Sequence, residues 1–343
     1  MTDTARATIR DVATLSGLSI CTVSRALRGL PNVSDEAHAR VREAAGKLGY
    51  RASSAASRLA GGRTGAVAII APTITAWFFA QAVEAAEEVL ADSGLDTVLM
   101  SLRGNAQARE SLFADPASLL QRVDGVLLLG VDLSPEQAGA VAESGLPVAS
   151  VGLTGVPWDN VGIDDEQAAW RAAHRLVELG HWELALLAGS EPDAGTVVTA
   201  SARRSGFMRA LAGNDLDVHP DMVVPAASSI DGGYWAMTEL ISNRGLPQAV
   251  FAGCDETAFG ALKALHEHGL SAPEDVSLIG LDDHPMSSFL GLSTVAQPVA
   301  DQGAFAAALL AERLADPDGA GPPQDHRLPT TLIERKTTRR PRR

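Results

Sequence analysis

From Gly65 onward the chain alternates short, continuous apolar runs with amphipathic stretches at helical spacing, and this alternation constrains its fold more than any other feature. Residues 66–71, Ala-Val-Ala-Ile-Ile-Ala, read as a strand buried on both faces. Residues 78–92 read as a helix with Val83, Ala86, Val89 and Leu90 turned inward. Further strands are expected at 96–100, 125–129 and 147–151, and a second set at 184–188, 249–252 and 276–280. Helices are expected at 166–179, 201–212, 233–243 and 257–268. Apolar strands alternating with helices make parallel sheets covered on both faces. Two such sets predict an α/β body of two doubly wound lobes, with a ligand held near the carboxyl ends of the strands. A chain of 343 residues with 46% hydrophobic residues can fill those cores and leave length for another unit.

The first fifty residues follow a different rule. Ile9, Val12, Ala13 and Ser16 share one face of a short helix, and Gly17 supplies a turn. Ser19 is placed to cap a second helix, in which Val23, Ala26 and Leu27 form the inner stripe. That leaves Ile20, Cys21, Ser24, Arg25 and Arg28 on other faces. Gly29, Pro31 and Asn32 stop it, and Ser34 caps a third helix with Asp35 and Glu36 suited to its dipole. Three short helices with a glycine turn between the first two form a helix-turn-helix pattern.

Charge separates the regions again. The net charge is −14, yet residues 1–63 hold ten Lys/Arg against five Asp/Glu, and residues 334–343 hold six against one. The acidic excess therefore sits in the body, and a basic head points to a polyanion partner at one end. The two cysteines, Cys21 and Cys254, make neither a disulfide framework nor a metal-ligand spacing. Residues 1–10 lack the apolar core of a secretory signal, and no run approaches the ~20 apolar residues of a membrane span. A cytoplasmic location is expected.

The segments Thr8-Ile9-Arg10-Asp11-Val12-Ala13, Gly17-Leu18-Ser19, Thr22-Val23-Ser24-Arg25-Ala26-Leu27, Val33-Ser34 and Leu48-Gly49-Tyr50 resemble the headpiece of the lactose repressor/galactose repressor (LacI/GalR) family. The resemblance continues through His174 to His181, through Arg203-Arg204-Ser205-Gly206-Phe207, and through Gly280-Leu281-Asp282-Asp283 and Thr294-Val295-Ala296-Gln297. It implies a helix-turn-helix headpiece at 1–50, a hinge at 51–64, and a periplasmic-binding-protein-like effector-binding and dimerisation domain at 65–343. Lobe 1 is expected at 65–163 and 292–321, lobe 2 at 164–291 and 322–335, with crossings near Asp164, Leu292 and Pro322.

The function implied is a DNA-binding transcriptional regulator, a repressor, working as a homodimer on near-palindromic operator DNA under a small-molecule effector. Its DNA-binding residues by that resemblance are Thr8, Ser19, Ile20, Cys21, Thr22, Ser24, Arg25, Arg28 and Leu59. Ile20 suits a thymine methyl, Arg25 the O6/N7 edge of guanine, and the hydroxyls of Thr22 and Ser24 suit phosphates or base edges. Leu59, in the small, basic hinge, stands where the family wedges a leucine into the minor groove. Ala52-Ser53 replaces the usual Pro-Asn there, so the hinge loses a backbone restraint. The effector-binding residues implied are Phe78, Phe79, Arg203, Cys254, Asp282 and Gln297. Gly152 and Cys254 replace family polar groups, which points to a sugar-like metabolite less hydroxylated than a hexose, or one bound in a different pose.

Rival classes find little support. No phosphate-binding Gly-rich loop and no Gly-x-Ser-x-Gly elbow occurs. His266-Glu267-His268 has the wrong spacing for a zinc helix. No catalytic residue, cofactor, metal or membrane contact is expected. A transport-type solute-binding protein and an α/β enzyme stand as the alternatives. Residues 335–343 read as a disordered basic end.

Overall fold

The computed structural model describes residues 7–27, 33–50, 63–103, 105–189, 197–317, 319 and 321–341. Contacts divide the chain into two units, residues 1–65 and 66–343.

In the first unit, α1 (Ile9–Ser16), α2 (Ile20–Leu27) and α3 (Asp35–Lys47) enclose a small core of Val12, Ala13, Val23, Ala26, Val41, Ala44 and Ala45. Thr8 and Asp11 form a reciprocal capping box at the start of α1. Gly17 ends that helix at φ +64°, a conformation glycine adopts without Cβ strain. Arg40 Nη2 then donates to the Ser16 carbonyl at 2.6 Å, tying α3 to the turn.

The second unit runs β1 (Ala66–Ala71), α4 (Trp77–Asp92), β2 (Asp96–Ser101), α5 (Ala106–Phe113), β3 (Gly125–Leu129), α6 (Pro135–Glu143), β4 (Val148–Val151) and β5 (Asp159–Ile163). It continues with α7 (Asp165–Glu178), β6 (Leu184–Leu187), α8 (Val197–Ala212), β7 (Val223–Val224), α9 (Ile230–Glu239), β8 (Ala249–Ala252), α10 (Asp255–Glu267) and β9 (Ser277–Asp282). Last come α11 (Pro285–Leu290), β10 (Ser293–Ala296), α12 (Val299–Ala315), β11 (Asp325–Leu328) and β12 (Thr331–Ile333). Two six-stranded sheets result, in the orders β11-β5-β4-β3-β1-β2 and β12-β10-β9-β8-β6-β7. Every pairing is parallel except β12 on β10. Both faces of each sheet are covered by apolar clusters, which is why β1 and β3 carry almost no polar residue.

The crossings differ from the sequence expectation. The chain leaves the first sheet after Ile163, returns after Ala296 and leaves again after Leu328. The second crossing falls later than Leu292 because β10 pairs in register with β9, Thr294 opposite Gly280, and so belongs to lobe 2. The third falls later than Pro322 because β11 pairs with β5 and belongs to lobe 1. On α4 the fully buried positions are Phe79, Ala82, Ala86 and Leu90, while Val83 and Val89 are only half-buried.

The expected disorder of the basic end is also corrected, for residues up to 341. Arg335 pairs with Asp283 at 2.6 Å, and Thr337 is buried, exchanging hydrogen bonds with Ser293 N and the Leu278 carbonyl. The Arg339 carbonyl meets buried His181 Nε2 at 2.8 Å. Charge suggested a free tail, but its backbone supplies partners that the edge of the second sheet needs.

Close helix packing in lobe 2 rests on glycines. A Cβ on Gly206 would lie 2.0 Å from the Glu166 carbonyl oxygen, and one on Gly260 1.9 Å from that of Ile230. Gly260→Ala is therefore expected to force α9 and α10 apart and cost about 3 kcal/mol. A urea melt of the two proteins measures it, and an unchanged midpoint would show that the helices shift freely.

Candidate functional site

The first candidate surface is the exposed side of α2. Ser19 Oγ accepts from the Thr22 backbone N–H at 3.1 Å and lies 2.9 Å from Thr22 Oγ1, so these hydroxyls begin the helix as well as facing outward. Thr8 Oγ1 likewise serves its capping box, donating to Asp11 Oδ2 at 2.7 Å. Ile20 lies outside the seven-residue core and is 46% exposed, and the Cys21 thiol is free and exposed. Ser24 and Arg25 are half-buried on the same helix. Arg28 and Leu59 lie outside the described residues.

The second candidate is a cavity of about 360 Å³ between the two lobes of the body. Parallel topology dictates its place. Gly130 and Gly152 follow β3 and β4, Asp165 follows β5, Gly253 and Cys254 follow β8, Asp282 ends β9, and Gln297 follows β10. All are carboxyl ends of strands, where loops converge and backbone groups are left to face a ligand. Phe78 and Phe79, on the first turn of α4, contribute an aromatic wall with ring centroids 5.3 Å apart. All six effector-binding residues expected from the sequence line this one cavity.

The polar side is tightly organised. Arg203, on α8, donates from Nε and Nη2 to Asp165 Oδ1, both at 2.8 Å, and from Nη1 to the Gly253 carbonyl at 2.6 Å. Opposite it, Gln302 Nε2 donates to Gln297 Oε1 at 2.9 Å, and Gln297 Nε2 donates to Asp282 Oδ1 at 2.6 Å. This relay fixes the Gln297 amide so that its N–H points at the carboxylate. Asp282 and Asp283 have φ of +134° and +59°, values that side-chain-bearing residues rarely adopt. Strain of this kind, about 1–3 kcal/mol per residue, is held in place only by a surrounding network. Burial pushes the Asp282 carboxyl up to about 7, against the lowering pull of Arg203.

Just behind the site, Asp255 is fully buried and accepts from Ser287 Oγ and Thr294 Oγ1, each at 2.6 Å, and from the His284 backbone N–H at 2.9 Å. Burial raises its pKa too. A Cβ on Gly280 would lie 2.1 Å from Asp255 Oδ1, which explains the glycine in the Gly-Leu-Asp-Asp stretch. The Cys254 thiol lies 3.2 Å from Thr257 Oγ1, and burial pushes it up to about 12, so it is an uncharged wall group.

Sequence reasoning missed several lining residues: Thr73, Asp165, Thr199, Ser228, Glu256 and Gln302. Asp165 carries a signal, because it stands next to Asp164, where a lobe crossing is expected from the sequence. Glu256 carries none. It enters the cavity because α10 begins there, and the Trp77 backbone N–H at the start of α4 exerts a lowering pull on its carboxyl, against the raising effect of burial. Trp77 also meets His284 from lobe 2, with centroids 4.9 Å apart. Among the described residues no group of three His, Cys, Asp or Glu is placed to hold a metal ion, and no helix is long and apolar enough to cross a membrane.

A helix-turn-helix unit joined to a two-lobed, cleft-bearing α/β body defines the class of ligand-responsive, DNA-binding transcription regulators. Comparison with known proteins narrows it. The model of the bacterial regulatory proteins of the lacI family matches residues 8–53, and that of the periplasmic binding protein-like domain matches residues 173–338. Catabolite control protein A of Priestia megaterium is 31% identical over 309 residues, covering 88% of this chain and 91% of that protein. The HTH-type transcriptional repressor PurR of Pectobacterium atrosepticum is 30% identical over 321 residues, covering 90% of each. Among solved structures, the lac repressor dimer bound to operator and the anti-inducer ONPF superposes with a TM-score of 0.83 at 25% identity, over 98% of this chain and all of that one. The complex of the transcriptional regulator CelR with cellobiose gives 0.71 at 29% identity, over 97% and 100%. The chain belongs to the lacI family of bacterial regulatory proteins.

Proposed function

We propose that the chain is a repressor that binds double-stranded operator DNA as a homodimer and releases or tightens its grip when a small molecule occupies the cleft. The observation that carries this reading is the cavity itself. Its walls come from both lobes, so an occupant changes the free energy of lobe closure, and a coupling of that kind is what allostery requires. The lac repressor neighbour is a dimer bound to operator and the anti-inducer ONPF, and the CelR neighbour is a complex with cellobiose. A related sugar-like metabolite suits this cavity's mix of aromatic wall and acceptor groups. The lacI-family relatives are transcriptional regulators, and in this reading the chain likewise acts by binding. Its work on chromosomal DNA places it in the cytoplasm, without a membrane partner.

The α2 surface reads the operator in this scheme. Ile20 contacts a thymine methyl, Arg25 a guanine edge, and Thr8, Ser19, Thr22 and Ser24 position the helix through the backbone. Cys21 lies against the groove floor. Arg28 and Leu59 have the DNA-contact and minor-groove roles inferred from sequence, and both lie outside the described residues. Arg25→Ala is expected to weaken cognate binding by about 1–3 kcal/mol and to relax preference at one base position. Equal losses on all sequences would reduce Arg25 to a phosphate contact.

The test of the whole reading is a mobility shift on DNA flanking the chain's own gene, repeated across salt. Specific binding whose logarithm falls by roughly 0.9 per phosphate contact per unit of log salt is expected. Its absence at every salt concentration would sink the proposal.

A further inference from the structure

We infer that the cleft selects a cationic ligand, a small polar metabolite bearing an amine, and rejects carboxylates and phosphate esters. The inference rests on the effector-pocket reading above and adds the chemical class of the effector.

The argument is an account of charge. Three carboxyl groups line the cavity, those of Asp165, Glu256 and Asp282. Among the described lining residues Arg203 is the single Lys, Arg or His. Arg203 is largely committed: two of its nitrogens go to Asp165 and a third to the Gly253 carbonyl. That pair is neutral as a unit, so the described lining offers a ligand's phosphate or carboxylate no net positive charge.

Glu256 and Asp282 remain. Asp282 takes the Gln297 amide N–H and shares the field of Arg203 with Asp165, so one guanidinium stands against three carboxyls. Burial raises the pKa of both Glu256 and Asp282. A buried carboxyl in this condition is relieved by a proton or by a cation. An ammonium group brings three donors and no acceptor, and so matches an acceptor-rich wall. Phe78, also in the lining, offers an aromatic ring for a cation–π contact. An anionic ligand would meet an excess of carboxyl groups, with no base beyond Arg203 among the described lining residues.

Glu256 gives the inference a consequence for closure. It stands on lobe 2, and the first turn of α4 on lobe 1 is near enough for the Trp77 N–H to pull its pKa down. A cation held by it therefore lies at the seam that the two lobes share.

The test uses the full chain and matched compounds: several scaffolds, each prepared as amine, neutral alcohol, carboxylate and phosphate ester. Binding is read by calorimetry after a thermal-shift screen. The amine is expected to be the tightest member of any scaffold that binds, at least tenfold over its alcohol. Glu256→Gln is expected to remove most of that tenfold while leaving the alcohol's affinity in place. A carboxylate or phosphate ester binding more tightly than its amine would overturn the inference. So would an amine whose affinity Glu256→Gln leaves unchanged. Ser228→Trp, which puts an indole into the cavity lining, separates the two readings. An anion whose binding Ser228→Trp abolishes refutes the charge argument and leaves the pocket standing. Binding that survives Ser228→Trp refutes the pocket.

Discussion

Removal of residues 1–65 is expected to abolish operator binding and to leave a folded body that still binds its effector. The two units have separate cores. Among the described residues, the core of the first unit is Val12, Val23, Val41 and their neighbours, and the body's four clusters are drawn from Ala66 onward. Deleting the first unit thus opens no cavity in the second. It does remove the basic head and leaves a strongly acidic body, which repels a polyanion. Specific binding exceeds non-specific binding by roughly 10³–10⁷ in proteins of this kind, and here both terms should vanish together. Fluorescence anisotropy on labelled operator measures the loss, and a melting curve with and without effector checks the body. Sequence-specific binding by the truncated chain would mean that DNA is read by a surface of the body instead.

How far the molecule was legible in advance depended on where packing leaves a local mark. Strands buried on both faces, such as β1 and β3, announce themselves because no position along them tolerates a polar side chain. β5, by contrast, reads Asp-Asn-Val-Gly-Ile and passes for a loop. It is a central strand whose polar residues are satisfied from afar, Asp159 by Arg313 and Asn160 by Ser150, Leu153 and Asp325. α12 was silent for another reason. Its long alanine-rich run has little contrast between faces, although it packs against α4 and buries seven residues. The site divides in the same way. Arg203, Asp282 and Gln297 carry a motif, whereas Gln302 and Glu256 reach the cavity only through the tertiary placement of α12 and α10. The pairing of Arg203 with Asp165 joins residues 38 apart, and no spacing rule connects them.

Arg203→Ala and Asp282→Asn are each expected to leave operator binding intact and to erase the effector's influence on it. Couplings in allosteric proteins are typically 5–150-fold, so the change is from a shift of that size to none. The two variants fail differently, which makes the pair informative. Arg203→Ala leaves Asp165 buried beside a cavity without its cation, and breaking a buried pair in this way costs about 3–5 kcal/mol. A folded but weakened protein is the expected result, and unfolding would make that variant mute on function. Asp282→Asn keeps shape and keeps an oxygen to accept from Gln297 Nε2. It also removes a pH response whose sign follows from burial. The Asp282 carboxyl is pushed up to about 7 in the folded protein, above its unfolded value, so the folded state holds the proton more tightly. Its contribution to stability is complete below the unfolded pKa of about 3.9 and is lost as pH rises through about 7. The parent should therefore lose stability between pH 5 and pH 8 relative to Asp282→Asn, and the variant's melting temperature should overtake the parent's at the alkaline end. Denaturant melts at pH 5, 6, 7 and 8 measure the difference, and operator anisotropy with and without effector measures the coupling. Parallel melting profiles would mean that Asp282 is ionised throughout, held down by Arg203. An unchanged effector response in Asp282→Asn would move the effector to a part of the cleft that this carboxylate does not reach.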